Sequence, residues 1–186
     1  MKQSRLRINL NMKNLLLLLM CVLTLPLFAQ ESRQFFAAND SLMQYTGRID
    51  FSNPLLPRFW QPGVYIQFRF EGNGCQLILQ DEELWGKNHN YLELVVDGKA
   101  SRLQTTSKRD TIDLETGAGI HDVLVCKNTE ANIGYLEWVG VNCHRLLPLP
   151  AKPIRKMEFI GNSITCGASA DVSAVPCHQG QWQDQH

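Results

Sequence analysis

The chain has 186 residues, 44% hydrophobic and 19% charged, with 18 basic against 18 acidic side chains and a formal net charge of zero. That balance excludes the strongly basic proteins that hold nucleic acid or an anionic membrane by charge. The length suffices for one good core, and no repeat or low-complexity segment interrupts it.

The first segment, residues 1–29, reads as a signal peptide. Lys2, Arg5, Arg7 and Lys13 form a positive leader, Leu15 to Phe28 is apolar apart from Thr24 and Pro26, and Phe28-Ala29-Gln30 offers a cleavage point. The apolar stretch is shorter than the roughly 20 residues that a membrane span needs. The reading is therefore an exported protein, periplasmic or extracellular, with no membrane association after cleavage. Removal of residues 1–29 takes away four basic and no acidic residues, leaving 14 against 18.

Residues 30–147 read as a β-sandwich. Val64, Ile66, Phe68 and Phe70 alternate with Tyr65, Gln67 and Arg69, the period-two pattern of a strand with one wet face. Leu77 and Leu79 continue it, then Leu92, Leu94 and Val96, then Thr111 to Leu114. Val123 to Cys126 is apolar on both faces and reads as doubly buried. Tyr135 to Val141 ends the series. Pro62-Gly63, Gly72-Asn73-Gly74, Asp97-Gly98 and Gly117-Ala118-Gly119 are read as turns separating these runs. Many short strands with regular turns and no helical period indicate an antiparallel sandwich.

The composition then shifts. Residues 148–153 hold three prolines and read as a stiff extended linker. Beyond it, Ile154 to Ile160 reads as a short apolar strand that opens a second unit, residues 154–186. A domain needs at least about 50 residues, so this unit is expected to be the start of a domain and not the whole of one.

That strand leads into Gly161-Asn162-Ser163-Ile164-Thr165-Cys166-Gly167. Strand, Gly, Ser and Gly in this order can set a serine hydroxyl at a sharp strand-to-helix turn, where α/β sheets hold their chemistry. A serine needs a base and oxyanion donors to act as a nucleophile. Gly161 and Asn162 shape the turn, and Ser163 is the candidate nucleophile. The bland alternative is an ordinary loop rich in Gly, Asn and Ser. None of His89, His121, His144, His178 and His186 has a spacing that marks it as the base, and they read as loop or surface residues.

Cys75 and Cys126 sit in strand patterns and read as buried free thiols. Cys166 and Cys177 flank a short Gly-Ala-Ser-rich loop that a disulfide would close, although spacing alone leaves the connectivity open. Cys166, Cys177 and His178 match no zinc spacing, so no metal is expected. Among the aromatic residues, Trp85 lies in a polar loop between Glu83 and Gly86-Lys87-Asn88 and is the candidate sugar contact.

The block from Lys156 to Gly167 resembles the first signature block of the SGNH, or GDSL-type, hydrolases. Together with Gly47-Arg48-Ile49-Asp50, Phe68-Arg69-Phe70-Glu71-Gly72, Val96-Asp97-Gly98, Gly119-Ile120-His121-Asp122-Val123 and Lys127-Asn128-Thr129-Glu130, it resembles carbohydrate esterase family two, the acetyl-xylan esterases and related deacetylases. The resemblance implies a jelly-roll sandwich followed by an α/β/α SGNH hydrolase domain, here cut early. It implies Ser163 as acyl nucleophile, its own backbone N–H as one oxyanion donor, no metal or organic cofactor, and acetylated plant polysaccharide or oligosaccharide as substrate. Asn162 stands where the superfamily usually has Asp. The later oxyanion donors and the catalytic His have no matching position, so the polypeptide alone is expected to be nearly inactive. Two rivals stay open: a carbohydrate-binding sandwich without catalysis, and a remnant that exposes the Ile154 to Ile160 run.

Overall fold

A computed structural model of the protein describes residues 32–155, 157–158 and 160–162. Among the described residues, nine strands and two single 3₁₀ turns make up the regular structure: β1 (Gln34–Ala37), β2 (Gln44–Thr46), β3 (Arg58–Phe59), β4 (Tyr65–Asp81), β5 (Tyr91–Val96), β6 (Lys99–Gln104), β7 (Arg109–Lys127), β8 (Leu136–Cys143) and β9 (Arg145–Leu147), with turns at Leu84–Gly86 and Ala131–Ile133. Every strand pairing is antiparallel.

β4 and β7 are the long members, 17 and 19 residues, and they pair with each other along almost their whole length. The first half of β4 and the second half of β7 form one layer with β2 and β9 on one side and β5 and β6 on the other. The second half of β4 and the first half of β7 form the other layer with β8, which carries β1 and β3. Between the layers lies a single core that includes Ile66, Phe68, Phe70, Leu92, Val125, Leu77, Leu79, Leu136 and Trp138. The ring of Phe68 from one layer meets that of Trp138 from the other at 6.4 Å between centroids. The Trp138 indole N–H points at the Met43 sulfur, 3.3 Å away, so its polar atom is not stranded in the core.

The Gly-rich segments expected to end strands do not end them. Gly72-Asn73-Gly74 lies inside β4 and Gly117-Ala118-Gly119 inside β7, and Gly72 and Gly119 are cross-strand partners at the corner. There the register shifts, with two residues of β4 passing four of β7. Gly72 takes φ 145°, a backbone conformation that a side chain would strain. The bulge also changes which residues face inward. Even-numbered Ile66, Phe68 and Phe70 are buried before it, and odd-numbered Cys75, Leu77 and Leu79 after it. Two paired strands that turn one corner together keep their mutual ladder, and a bulge with glycine is the device that permits it.

Asp97-Gly98 is a true two-residue hairpin. Val96 pairs with Lys99, and Asp97 and Gly98 take φ 51° and 78°, the mirror-image turn that suits the strand twist. Val123 and Val125 are buried while Leu124 and Cys126 are only partly covered, so this strand is not doubly buried as its composition suggested. β8 comes closer to that state, with six of its eight residues buried.

Gly140 in β8 is a point where sequence and packing admit one residue. Its φ is 146°, and a methyl group there would collide with the Phe36 carbonyl oxygen of β1 and the Phe35 ring. Gly140→Ala is expected to destabilise the domain by about 2 kcal/mol, the cost of one strained position with its displaced ladder. That corresponds to a fall of roughly 5–10 °C in Tm, measurable by circular dichroism. An unchanged Tm would mean that β1 does not pack at Gly140.

Candidate functional site

Ser163 lies outside the described residues, as do Cys166, Cys177, His178 and His186. Gly161 and Asn162 are described, and both are exposed and outside any strand or helix. The strand expected over Ile154 to Ile160 forms no ladder among its described residues, and Ile154, Met157 and Ile160 are 85–100% exposed. A strand of this apolar kind needs sheet neighbours on both sides, and none of the described residues supplies them. The preceding segment follows the sandwich edge. The Gln44 amide donates to the Pro150 carbonyl at 3.0 Å, and the Lys152 ammonium reaches the Tyr45 carbonyl and the Thr46 hydroxyl.

Trp85 is 78% exposed, and the loop that presents it is held firmly. The Asp81 carboxylate, at the end of β4, accepts from the Glu83 N–H at 3.0 Å, from the Asn90 N–H at 3.0 Å and from the Asn90 side-chain amide at 2.9 Å. It thus clamps both ends of the 82–90 loop. Glu83 and Trp85 adopt left-handed conformations, φ 50° and 62°. Such positions cost of order 1 kcal/mol or more each for residues with a side chain, and persist where the surroundings impose them. The same loop is tied to the next one, because Glu82 and Tyr135 exchange two hydrogen bonds, 3.1 and 3.0 Å. Tyr135 in turn stacks under the Arg58 guanidinium at 4.1 Å and meets Trp60 edge-on at 5.6 Å. Glu137 accepts two hydrogen bonds from Arg58, 2.9 and 2.6 Å, and fixes the cation over the ring. The result is a preorganised loop that offers a flat, solvent-facing indole.

Beneath this loop lies a buried polar network that no sequence pattern announced. Asp81, Asn90, Thr105, Lys127 and Thr129 are all 0–2% exposed. The Thr105 hydroxyl donates to Asp81, the Thr129 hydroxyl donates to the Asn90 side-chain oxygen, and the Asn90 and Thr105 main chains bond each other. The Lys127 ammonium donates to the Thr129 carbonyl, the Thr129 hydroxyl and the Glu130 carbonyl at 2.5, 3.0 and 3.2 Å. Burial pulls Lys127 down to about 7, against the attraction of the Asp81 and Glu130 carboxylates. Lysine is among the residues least often buried, which is why Lys127, at the end of a strand pattern, carries no outward sign of its position.

His121 is neither a loop residue nor a free surface one. It sits in β7 with a side chain 12% exposed. Its Nδ1 meets Asp97 Oδ2 at 2.7 Å and its Nε2 meets the Gly117 carbonyl at 2.8 Å. The Asp97 hydrogen bond raises the His121 pKa, and the His121 bond lowers that of Asp97. Both ring nitrogens are occupied, and a carbonyl on Nε2 favours the doubly protonated ring. This arrangement pins the β5–β6 hairpin to the β7 corner and is unsuited to taking a proton from a serine. Among the described residues, no three His, Cys, Asp or Glu side chains are grouped to hold a metal ion.

Two antiparallel layers, one shared core and a clamped aromatic loop define a β-sandwich module with a presented ring. The family model described as carbohydrate esterase 2 N-terminal matches residues 45–150, more than half of the chain, and the chain belongs to that family. It is 29% identical over 148 residues to the cellulase/esterase CelE of Acetivibrio thermocellus, covering 74% of this chain and 18% of that one. It is 23% identical over 156 residues to an acetylxylan esterase / glucomannan deacetylase of Cellvibrio japonicus, covering 81% and 42%. Among solved structures it resembles a family two carbohydrate esterase from Clostridium thermocellum in complex with cellohexaose, with 30% identity, a TM-score of 0.61, and 68% and 39% of the two chains covered. The chain thus spans less than half the length of these relatives.

Proposed function

We propose that this chain is the sandwich end and the first catalytic block of an exported carbohydrate esterase of the acetyl-xylan type. The observation that carries the reading is the family match over residues 45–150, followed after five intervening residues by Lys156 to Gly167 with its Gly-Asn-Ser core. In this reading residues 1–29 are the export signal, 30–147 the jelly-roll sandwich, 148–153 the linker and 154–186 the start of an SGNH hydrolase unit. Ser163 attacks the carbonyl carbon of a sugar O-acetyl group. The oxyanion that forms is held by the Ser163 backbone N–H and by donors outside this chain's matching blocks. The sugar hydroxyl leaves, and water then releases acetate from the acyl-enzyme. No metal or organic cofactor takes part. The substrate is acetylated plant polysaccharide or oligosaccharide, a neutral ligand in keeping with the acidic balance after residue 29. The test is acetate release from acetylated xylan by residues 30–186 completed with the later blocks of the Cellvibrio japonicus relative.

The clamped Trp85 supports a second role, glycan binding by the sandwich itself. An exposed indole can stack on the apolar face of a pyranose ring. Trp85→Ala is expected to abolish retardation of the chain on xylan or mannan in affinity electrophoresis while leaving its Tm unchanged. Trp85→Gly is likewise expected to abolish retardation, but to raise Tm by a few degrees, because glycine relieves a left-handed position worth about 1 kcal/mol. Equal mobility of wild type and Trp85→Ala on every glycan would remove Trp85 from the binding role.

A further inference from the structure

Cys75 and Cys143 face each other across the β4–β8 ladder. Gln76 pairs with Asn142 and Leu77 with Val141, so one step back along both strands sets Cys75 opposite Cys143. Both side chains belong to the core and both are 0% exposed. Directly opposite residues of antiparallel strands have Cα atoms about 4.5–5.5 Å apart, inside the roughly 4.4–6.8 Å span that a disulfide requires. Both are free thiols in the structure, and the strand spacing alone lies within reach of a bond between them. Cys126, the third described thiol, is partly covered and sits on β7 with its sulfur toward the Lys127 carbonyl at 3.6 Å.

We propose that Cys75 and Cys143 form a cross-strand disulfide that staples β4 to β8 when the chain folds under oxidising conditions. The reaction is a double exchange. One thiolate attacks an external disulfide, such as that of glutathione or of an oxidised dithiol protein, and expels a thiolate. The second cysteine then attacks the mixed disulfide and expels the other. Two protons and two electrons leave the pair, and the external disulfide is reduced to two thiols. Burial raises both thiol pKa values, that of Cys143 to about 12, so neither is a competent nucleophile once the core has closed. The bond therefore forms before the layers pack. Once formed it closes the chain between residues 75 and 143, which restricts the unfolded state. This inference is independent of the esterase reading, since it rests on register and burial alone.

The test refolds the full chain in a glutathione redox buffer, then denatures it in iodoacetamide without reductant and digests it. The expected result is a peptide pair linked through Cys75 and Cys143, with Cys126 alkylated. The oxidised protein should melt roughly 10 °C above the same protein refolded with dithiothreitol, given the size of the closed loop. The double variant Cys75→Ala/Cys143→Ala should melt at one temperature in both buffers. Dithiothreitol added to the folded oxidised protein should leave the linked pair intact until denaturant is added. Alkylation of both cysteines in the wild type, or linkage of either one to a different cysteine, would overturn the proposal without reference to any variant.

Discussion

Ser163→Ala in the completed esterase is expected to lower acetate release from acetylated xylan by about 10⁴-fold or more. In the proposed mechanism the Ser163 hydroxyl accepts the acetyl group, and no neighbouring residue of the block offers a substitute. Asn162 is an amide, and Thr165 is two positions further along the sequence. Loss of a nucleophile in serine hydrolases leaves only binding and the oxyanion donors, a small residue of the full rate enhancement. The Asn162→Ala exchange should cost far less, since it touches the shape of the turn and not the acyl acceptor. Both variants should keep the Tm of the parent, because the sandwich core contains neither residue. Activity of Ser163→Ala within tenfold of the parent would assign the nucleophile elsewhere. A completed esterase that never releases acetate would leave the sandwich with glycan binding as its role.

Stability is expected to rise with pH between about 7 and 10, the reverse of the usual alkaline decline. Lys127 titrates near 7 in the folded protein and near 10.5 when exposed in the unfolded chain. Within that window the unfolded state binds the extra proton. Stability therefore rises across the window, by an amount on the order of a few kcal/mol. His121 pulls the other way. Its raised pKa means that its contribution is complete below about 6.5 and is lost as pH rises through the folded value. Asp97, with a lowered pKa, contributes from above its unfolded value and loses that as pH falls through the folded one. Lys127 is fully buried and shifted far, so it dominates above neutrality. Urea midpoints at pH 7 and 9.5 should rise in the wild type. In Lys127→Met they should stay flat or fall, exposing the His121 contribution. Parallel wild-type and Lys127→Met profiles would show that the Lys127 ammonium is not desolvated in the fold.

The alternation of Ile66, Phe68 and Phe70, of Leu77 and Leu79, and of Leu92 and Leu94 was sufficient to find extended segments and their buried faces, though not where the long strands begin and end. A period-two pattern is local, and each strand reports its own wet side. Asp97-Gly98 was equally legible, because a mirror-image hairpin turn needs positive φ at adjacent residues and selects such pairs. Trp85 could be picked out as exposed because its neighbours are polar. The Gly-Asn-Ser block offered Ser163 as a candidate nucleophile through residue order and family resemblance, and left its base unassigned.

What only the tertiary structure decided concerns partners far apart in the chain. Glycines at 72 and 119 are the same letters whether they end two strands or bend one continuous pair, and the ladder between β4 and β7 decides for the bend. Lys127 is a surface residue by type and a buried one by position: its ammonium bonds Thr129, whose hydroxyl is tied to Asn90, and Asn90 in turn to Thr105 and Asp81 from other segments of the chain. His121 meets Asp97 across 24 residues, and the β4–β8 register carries Cys75 toward the position opposite Cys143. Local sequence encodes how each segment prefers to sit, since propensity and alternation act over a few residues. Burial, pairing and the proton affinities that follow from them depend on which segments the folded sheet brings together.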